Sequence, residues 1–102
     1  MKDLIGKKVI IRAESAGVFF GVLEYINEGV TVCRLSKCRR LWQWVGACSL
    51  SQLAKEGTKQ PKGCRFSVTI DDIVISGVIE VIPTTELATN SIEGVDEWKL
   101  YY

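Results

Sequence analysis

The stretch CRRLWQWVG, residues 38–46, sets Arg39, Arg40, Trp42 and Trp44 within six positions of a chain that has only three tryptophans. An indole face stacks on a nucleobase, and a neighbouring guanidinium pairs with phosphate through its planar fork. Just downstream, Ser49, Ser51 and Gln52 lie at the start of a candidate helix, where free backbone amides favour an anion. Thr58 and Lys59 in the next polar loop can close over the same point. Aromatic platform, arginine and helix start in succession predict a cradle for a small nucleotide or cyclic-nucleotide-like anion.

Two arrangements of this strand compete. If 38–45 is extended, Arg39, Leu41, Gln43 and Val45 share one face, and Arg40, Trp42 and Trp44 share the other. Turning Leu41 and Val45 to the core leaves an exposed aromatic and cationic face that needs a ligand or partner to cover it. The opposite choice buries both tryptophans, the commoner fate of that residue, and leaves Leu41 in solvent. The pattern alone permits either.

Catalysis lacks its usual parts. The chain has no histidine, which removes the commonest general base and the usual partner of serine and cysteine nucleophiles. Asp71 and Asp72 are adjacent, so in a strand they point to opposite faces. No glycine-rich phosphate loop occurs. The chain reads as a binder that leaves its ligand unchanged, not an enzyme, and no cofactor is implied. Cys33, Cys38, Cys48 and Cys64 have neither paired C-x-x-C spacing nor a histidine to complete a zinc set. They read as free thiols that hold no metal.

The elements that must position these residues are mostly strands. KKVIIRAE (7–14) and GVFFGVLEYI (17–26) are β-branched and aromatic runs, and NEG (27–29) marks a turn into VTVCRLS. CRRLWQWVG then reads as a fourth strand. CRFSVTI and DIVISGVIEVI, stopped at Pro83, give a further strand pair or one bent strand. Spacing near ten residues with short turns describes an antiparallel meander, and Gly17 and Gly21 inside an apolar strand suggest a sharp bend or close backbone approach. Short helices are expected near 49–56 and 85–93, capped by serine or threonine and ended by Gly57 and Gly94. VDEWKLYY closes the chain as an edge strand or docked tail.

With 102 residues, 47% hydrophobic and 25% charged, the composition fits one soluble domain, residues 1–102. A net charge of +1 provides no global attraction for polyanions. The charge is nonetheless uneven: Arg34, Lys37, Arg39 and Arg40 cluster, whereas 70–95 carries acidic residues only. Lys2-Asp3 begins without an apolar leader, and no run approaches bilayer-spanning length, so a cytoplasmic location without membrane contact is expected.

GVFFGVL followed by VTVCRL resembles the first motif of the Sm-like RNA-binding ring proteins, and VISGVIEVI resembles their second. The resemblance implies a mainly β fold: a small, strongly bent antiparallel barrel, Sm-like or SH3-like, with one or two short helices. Ser76 stands where an arginine precedes the glycine in that family, so the resemblance implies the barrel and not the family's RNA pocket. The chain also resembles short bacteriophage-encoded proteins, through SAGVFFGVL, RRLWQWVGACSLSQLA and VISGVIEVIP. That implies a host-cytoplasm setting and a protein that sequesters a nucleotide immune signal. An Sm-like RNA binder or a host-protein interaction module is the alternative. More apolar β surface than one short barrel encloses predicts a homo-oligomer, most simply a dimer.

Overall fold

A computed structural model describes residues 2–99. Six strands form one curled antiparallel sheet. They are β1 (Lys8–Ala13), β2 (Gly17–Ile26), β3 (Val32–Gln43), β4 (Arg65–Phe66), β5 (Ile70–Ser76) and β6 (Val78–Pro83). Helix α1 (Leu50–Glu56) lies between β3 and β4, and α2 (Glu86–Glu93) follows β6.

β1 pairs with β2 and β6, and β2 pairs with β3. The long β3 then takes two partners on its far side, β5 along its first half and β4 along its last residues. Only Gly77, at φ +73°, separates β5 from β6. One continuous path therefore leaves β3, turns at Gly77 and joins β1 on the opposite edge. The amide of Glu14 donates to Gly77 O at 2.8 Å and that of Val78 to Thr31 O at 3.1 Å, tying the turn to both sides of the barrel.

The expected third and fourth strands are one element. β3 runs unbroken from Val32 to Gln43, through Lys37 at φ +48°. Its pairing with β2 slips by one residue there, between Phe20↔Arg39 and Val22↔Ser36. This bulge bends the strand. Gly21 sits opposite it because nothing larger fits: a Cβ there would lie 2.8 Å from Ser36 O and 3.2 Å from Cys38 Cα.

Burial falls into two layers. Val9, Ile11, Phe19, Leu23, Cys33, Leu35 and Ile75 fill the barrel. Ile10, Phe20, Leu41 and Phe66 point outward and are covered by Leu53 and Ala54 of α1 and Ile92 of α2. This second layer explains the unbroken VII of β1, since a strand covered on both faces loses its polar alternation. Each helix starts at its own cap. Ser49 Oγ accepts from Gln52 N at 3.1 Å, and Thr85 Oγ1 accepts from Ala88 N at 3.0 Å. The tail docks through Trp98 N, which donates to Phe66 O at 2.8 Å, beside a parallel bridge between Phe66 and Glu97. The last residues of VDEWKLYY, 100–102, lie outside the described residues.

Candidate functional site

The second half of β3 fixes the geometry. Leu41, 2% exposed, faces the helix-covered layer, so its neighbours Arg40 and Trp42 must point away from it. Trp42 is 68% exposed, which decides between the two arrangements in favour of an open aromatic face. Trp44 is half-buried against the rim of the same layer.

These side chains line a cleft of about 620 Å³ with Gly17 and Val18 from β2, Ser67 after β4, and Trp98 from the tail. All three tryptophans of the chain meet there. The size and mixed lining suit a small flat ligand or one unit of a polymer. Among the described residues, no carboxylate lines the cleft. Arg40 Cζ lies 4.8 Å from the Phe19 ring centroid, so the guanidinium rests on an aromatic shelf. Arg65 Cζ lies 4.6 Å from the Trp98 ring centroid and braces the tail wall. The backbone is held by a reciprocal exchange: Arg40 N donates to Ser67 Oγ at 2.7 Å, and Ser67 N donates to Arg40 O at 2.9 Å.

The remaining parts of the expected cradle do not gather here. Arg39 is 3% exposed and turned inward. Its Nη1 donates to Ile92 O at 2.8 Å and Val95 O at 2.7 Å, and its Nε donates to Ser67 O at 3.0 Å. Burial pulls its pKa down, and the nearby Glu97 and Asp96 oppose that. It joins the end of α2 to β3 and has no free fork for a phosphate. Ser49, Ser51, Gln52, Thr58 and Lys59 do not line the cleft either. Ser49 and Gln52 are spent on the helix start, because Gln52 Oε1 accepts from Cys48 N at 2.7 Å as Ser49 receives Gln52 N. Thr58 is buried, donating to Val45 O and accepting from Gln60 N at 3.0 Å. The cleft thus keeps Arg40, Trp42 and Trp44 of the expected set.

Trp98, Arg65 and Ser67 were not legible as partners of the 38–46 stretch. Trp98 reaches the cleft only because β4 carries the tail alongside it, a tertiary fact without a local motif. The thiols lie elsewhere or at the margin. Cys33 and Cys38 are buried, and desolvation pushes them up to about 11 and about 12. Among the described residues there is no group of three or more side chains suited to hold a metal, and no helix is long and apolar enough to cross a membrane.

Residues 6–92 match the family model described as "Domain of unknown function (DUF6948)". The chain belongs to the DUF6948 family. The match spans all six strands and ends within α2, so the Trp98 wall of the cleft lies beyond it. No curated protein matches this DUF6948 chain. Among solved structures, it is similar to a heptameric archaeal Sm protein, at 16% identity and a TM-score of 0.54, over 82% of this chain and 94% of that one. It is also similar to the P. aerophilum SmAP1 heptamer, at 16% identity and TM-score 0.54, over 82% of this chain and 86% of that one. The DUF6948 chain therefore has the Sm-like fold that its strand motifs resemble.

Proposed function

We propose that this DUF6948 protein is a non-catalytic, homo-oligomeric Sm-fold module that binds single-stranded RNA by stacking bases in the tryptophan cleft. The observation that carries the reading is the convergence of Arg40, Trp42, Trp44 and Trp98 on one open cleft that no carboxylate among the described residues lines. Exposed tryptophan is costly to leave bare, and stacking a base on it contributes about 1–3 kcal/mol. RNA comes before other polymers because the archaeal Sm heptamer was solved for its implications for the eukaryotic snRNP core, a ribonucleoprotein. Oligomerisation is supported by the sheet edges. Among the described residues β5 and β6 each pair on one side only, and Val74 and Ile79 on them are 66% and 51% exposed. Both similar structures are heptamers, which makes a ring the leading form in place of the dimer.

A second reading keeps the cleft and changes the ligand to a free or cyclic nucleotide, captured unchanged. A volume of about 620 Å³ favours it, being within the range of single small-ligand sites. Sequestration of an immune signal by a phage-encoded protein is its sharpest form.

Tryptophan fluorescence titrated with homopolymeric oligoribonucleotides and with linear and cyclic mononucleotides tests both. Saturable quenching is expected, and Trp42→Ala should weaken it about 5- to 150-fold while leaving the far-UV spectrum intact. Equal binding by parent and Trp42→Ala would refute the cleft as the site. Native mass spectrometry should show species above the 11.4 kDa monomer, dispersed by Val74→Glu with Ile79→Glu. A monomer at micromolar concentration would refute assembly.

A further inference from the structure

The tryptophan cleft is one of two adjoining hollows. Arg40 and Ser67 line it and also line a smaller hollow of about 200 Å³, bounded by Phe19, Cys38, Val68 and Ile70. Among the described residues, neither hollow has a carboxylate in its lining. The smaller one is apolar apart from the shared pair, and its rim residues Val68 and Ile70 are 37% and 42% exposed. Cys38 contributes a buried, neutral thiol to this hollow, not a nucleophile.

The shared wall carries the charge. Arg40 lies against the Phe19 ring, and none of the ion pairs among the described residues uses it. The Ser67 hydroxyl is already occupied, accepting from Arg40 N and donating to Val68 O at 2.9 Å. The Arg40 guanidinium is thus the free cationic donor between the two hollows. Large aromatic hollow, cation, small apolar hollow is the order of groups that would receive base, phosphate and base. A single nucleotide fills one hollow and leaves the other wet.

Building on the stacking function proposed above, we propose that this site takes a two-base unit of a single strand. One base lies among Trp42, Trp44 and Trp98, the linking phosphate sits on Arg40, and the second base enters the hollow beside Val68 and Ile70. Phosphate between two stacked or buried bases is a feature of a dinucleoside monophosphate and is absent from a mononucleotide.

The test compares uridine 5′-monophosphate with uridylyl-uridine, and adenosine 5′-monophosphate with adenylyl-adenosine, by fluorescence quenching and calorimetry on the full chain. The dinucleoside monophosphates should bind about 5- to 150-fold tighter, the gain for one more buried base. Val68→Asp or Ile70→Asp, each checked for an unchanged melting temperature, should remove that gain and leave mononucleotide binding in place. Arg40→Gln should weaken both classes of ligand, since each presents a phosphate to the guanidinium, and unchanged dinucleotide affinity would overturn the placement of the linking phosphate. Equal affinity for one-base and two-base ligands would overturn the two-base inference and leave the stacking function standing. Absence of binding by every probe would overturn both.

Discussion

Arg39 and Arg40 are neighbours in sequence, yet their environments differ so much that the same substitution should have opposite consequences. Arg39→Gln removes a guanidinium that donates to the carbonyl oxygens of Ile92, Val95 and Ser67 at 2.7–3.0 Å. Glutamine is shorter: Ile92 O keeps a donor in the Val95 amide at 3.3 Å, whereas Val95 O and Ser67 O lose theirs. A buried polar group left unpaired costs about 1–3 kcal/mol, and two of them bring the loss to roughly 2–6 kcal/mol. At about 4–8 °C per kcal/mol for a domain of this size, the melting temperature should fall by about 10 °C or more. Arg40→Gln acts on an exposed side chain and should stay within about 0.5 kcal/mol of the parent. Thermal melts followed by far-UV circular dichroism, with oligoribonucleotide titrations on the folded proteins, separate the two. The reasoning fails if Arg39→Gln melts alongside the parent, or if Arg40→Gln is the variant that unfolds.

Gly21→Ala should destabilise by about 1–3 kcal/mol in urea titrations, because the backbone at Ser36 and Cys38 must move to admit a methyl group. With a thiol reagent at mildly alkaline pH, Cys48 should react at once and Cys33, Cys38 and Cys64 only after denaturation. Rapid reaction of Cys38 would contradict its placement in the core. Asp72 is held below the usual carboxylate range by its hydrogen bonds and charge pairing with Arg34, at 2.7 and 2.9 Å. Its stabilisation is therefore present above that range and is lost as pH falls through its lowered value. Asp72→Asn should show a small deficit in melting temperature at neutral pH that vanishes in acid, and a deficit that grows in acid would reverse the assignment.

Much of the architecture was written locally. The β-branched runs from Lys8 to Ala13 and Gly17 to Ile26, the glycine at 21 and the caps at Ser49 and Thr85 each have a short-range physical cause that survives in the structure. The continuity of β3 was not legible, because the residue that absorbs its bulge is a lysine at positive φ where glycine or asparagine is the usual signal. The orientation of 38–45 was undecidable for a related reason. Both faces of this sheet meet cover somewhere, so alternation along one strand does not say which face the helices take. Arg39 illustrates the rest. Backbone oxygens solvate it, and backbone oxygens have no letter in the sequence, so a structural arginine and a ligand-binding one look alike side by side.

The turn at Gly77 also governs the order in which this molecule can be made. Val9, in the first strand of the sheet, finds its partner in Pro83, in the last. Until β6 leaves the ribosome, the outer edge of β1 has no cis partner, and the half-curled sheet presents it to other nascent copies. Closure therefore comes late, and it joins the first strand to the last, the topology associated with folding in milliseconds to seconds instead of microseconds. A domain whose first strand waits for its last is open to exchange of β6 between copies, so the concentration at which it is refolded should decide how much emerges entangled.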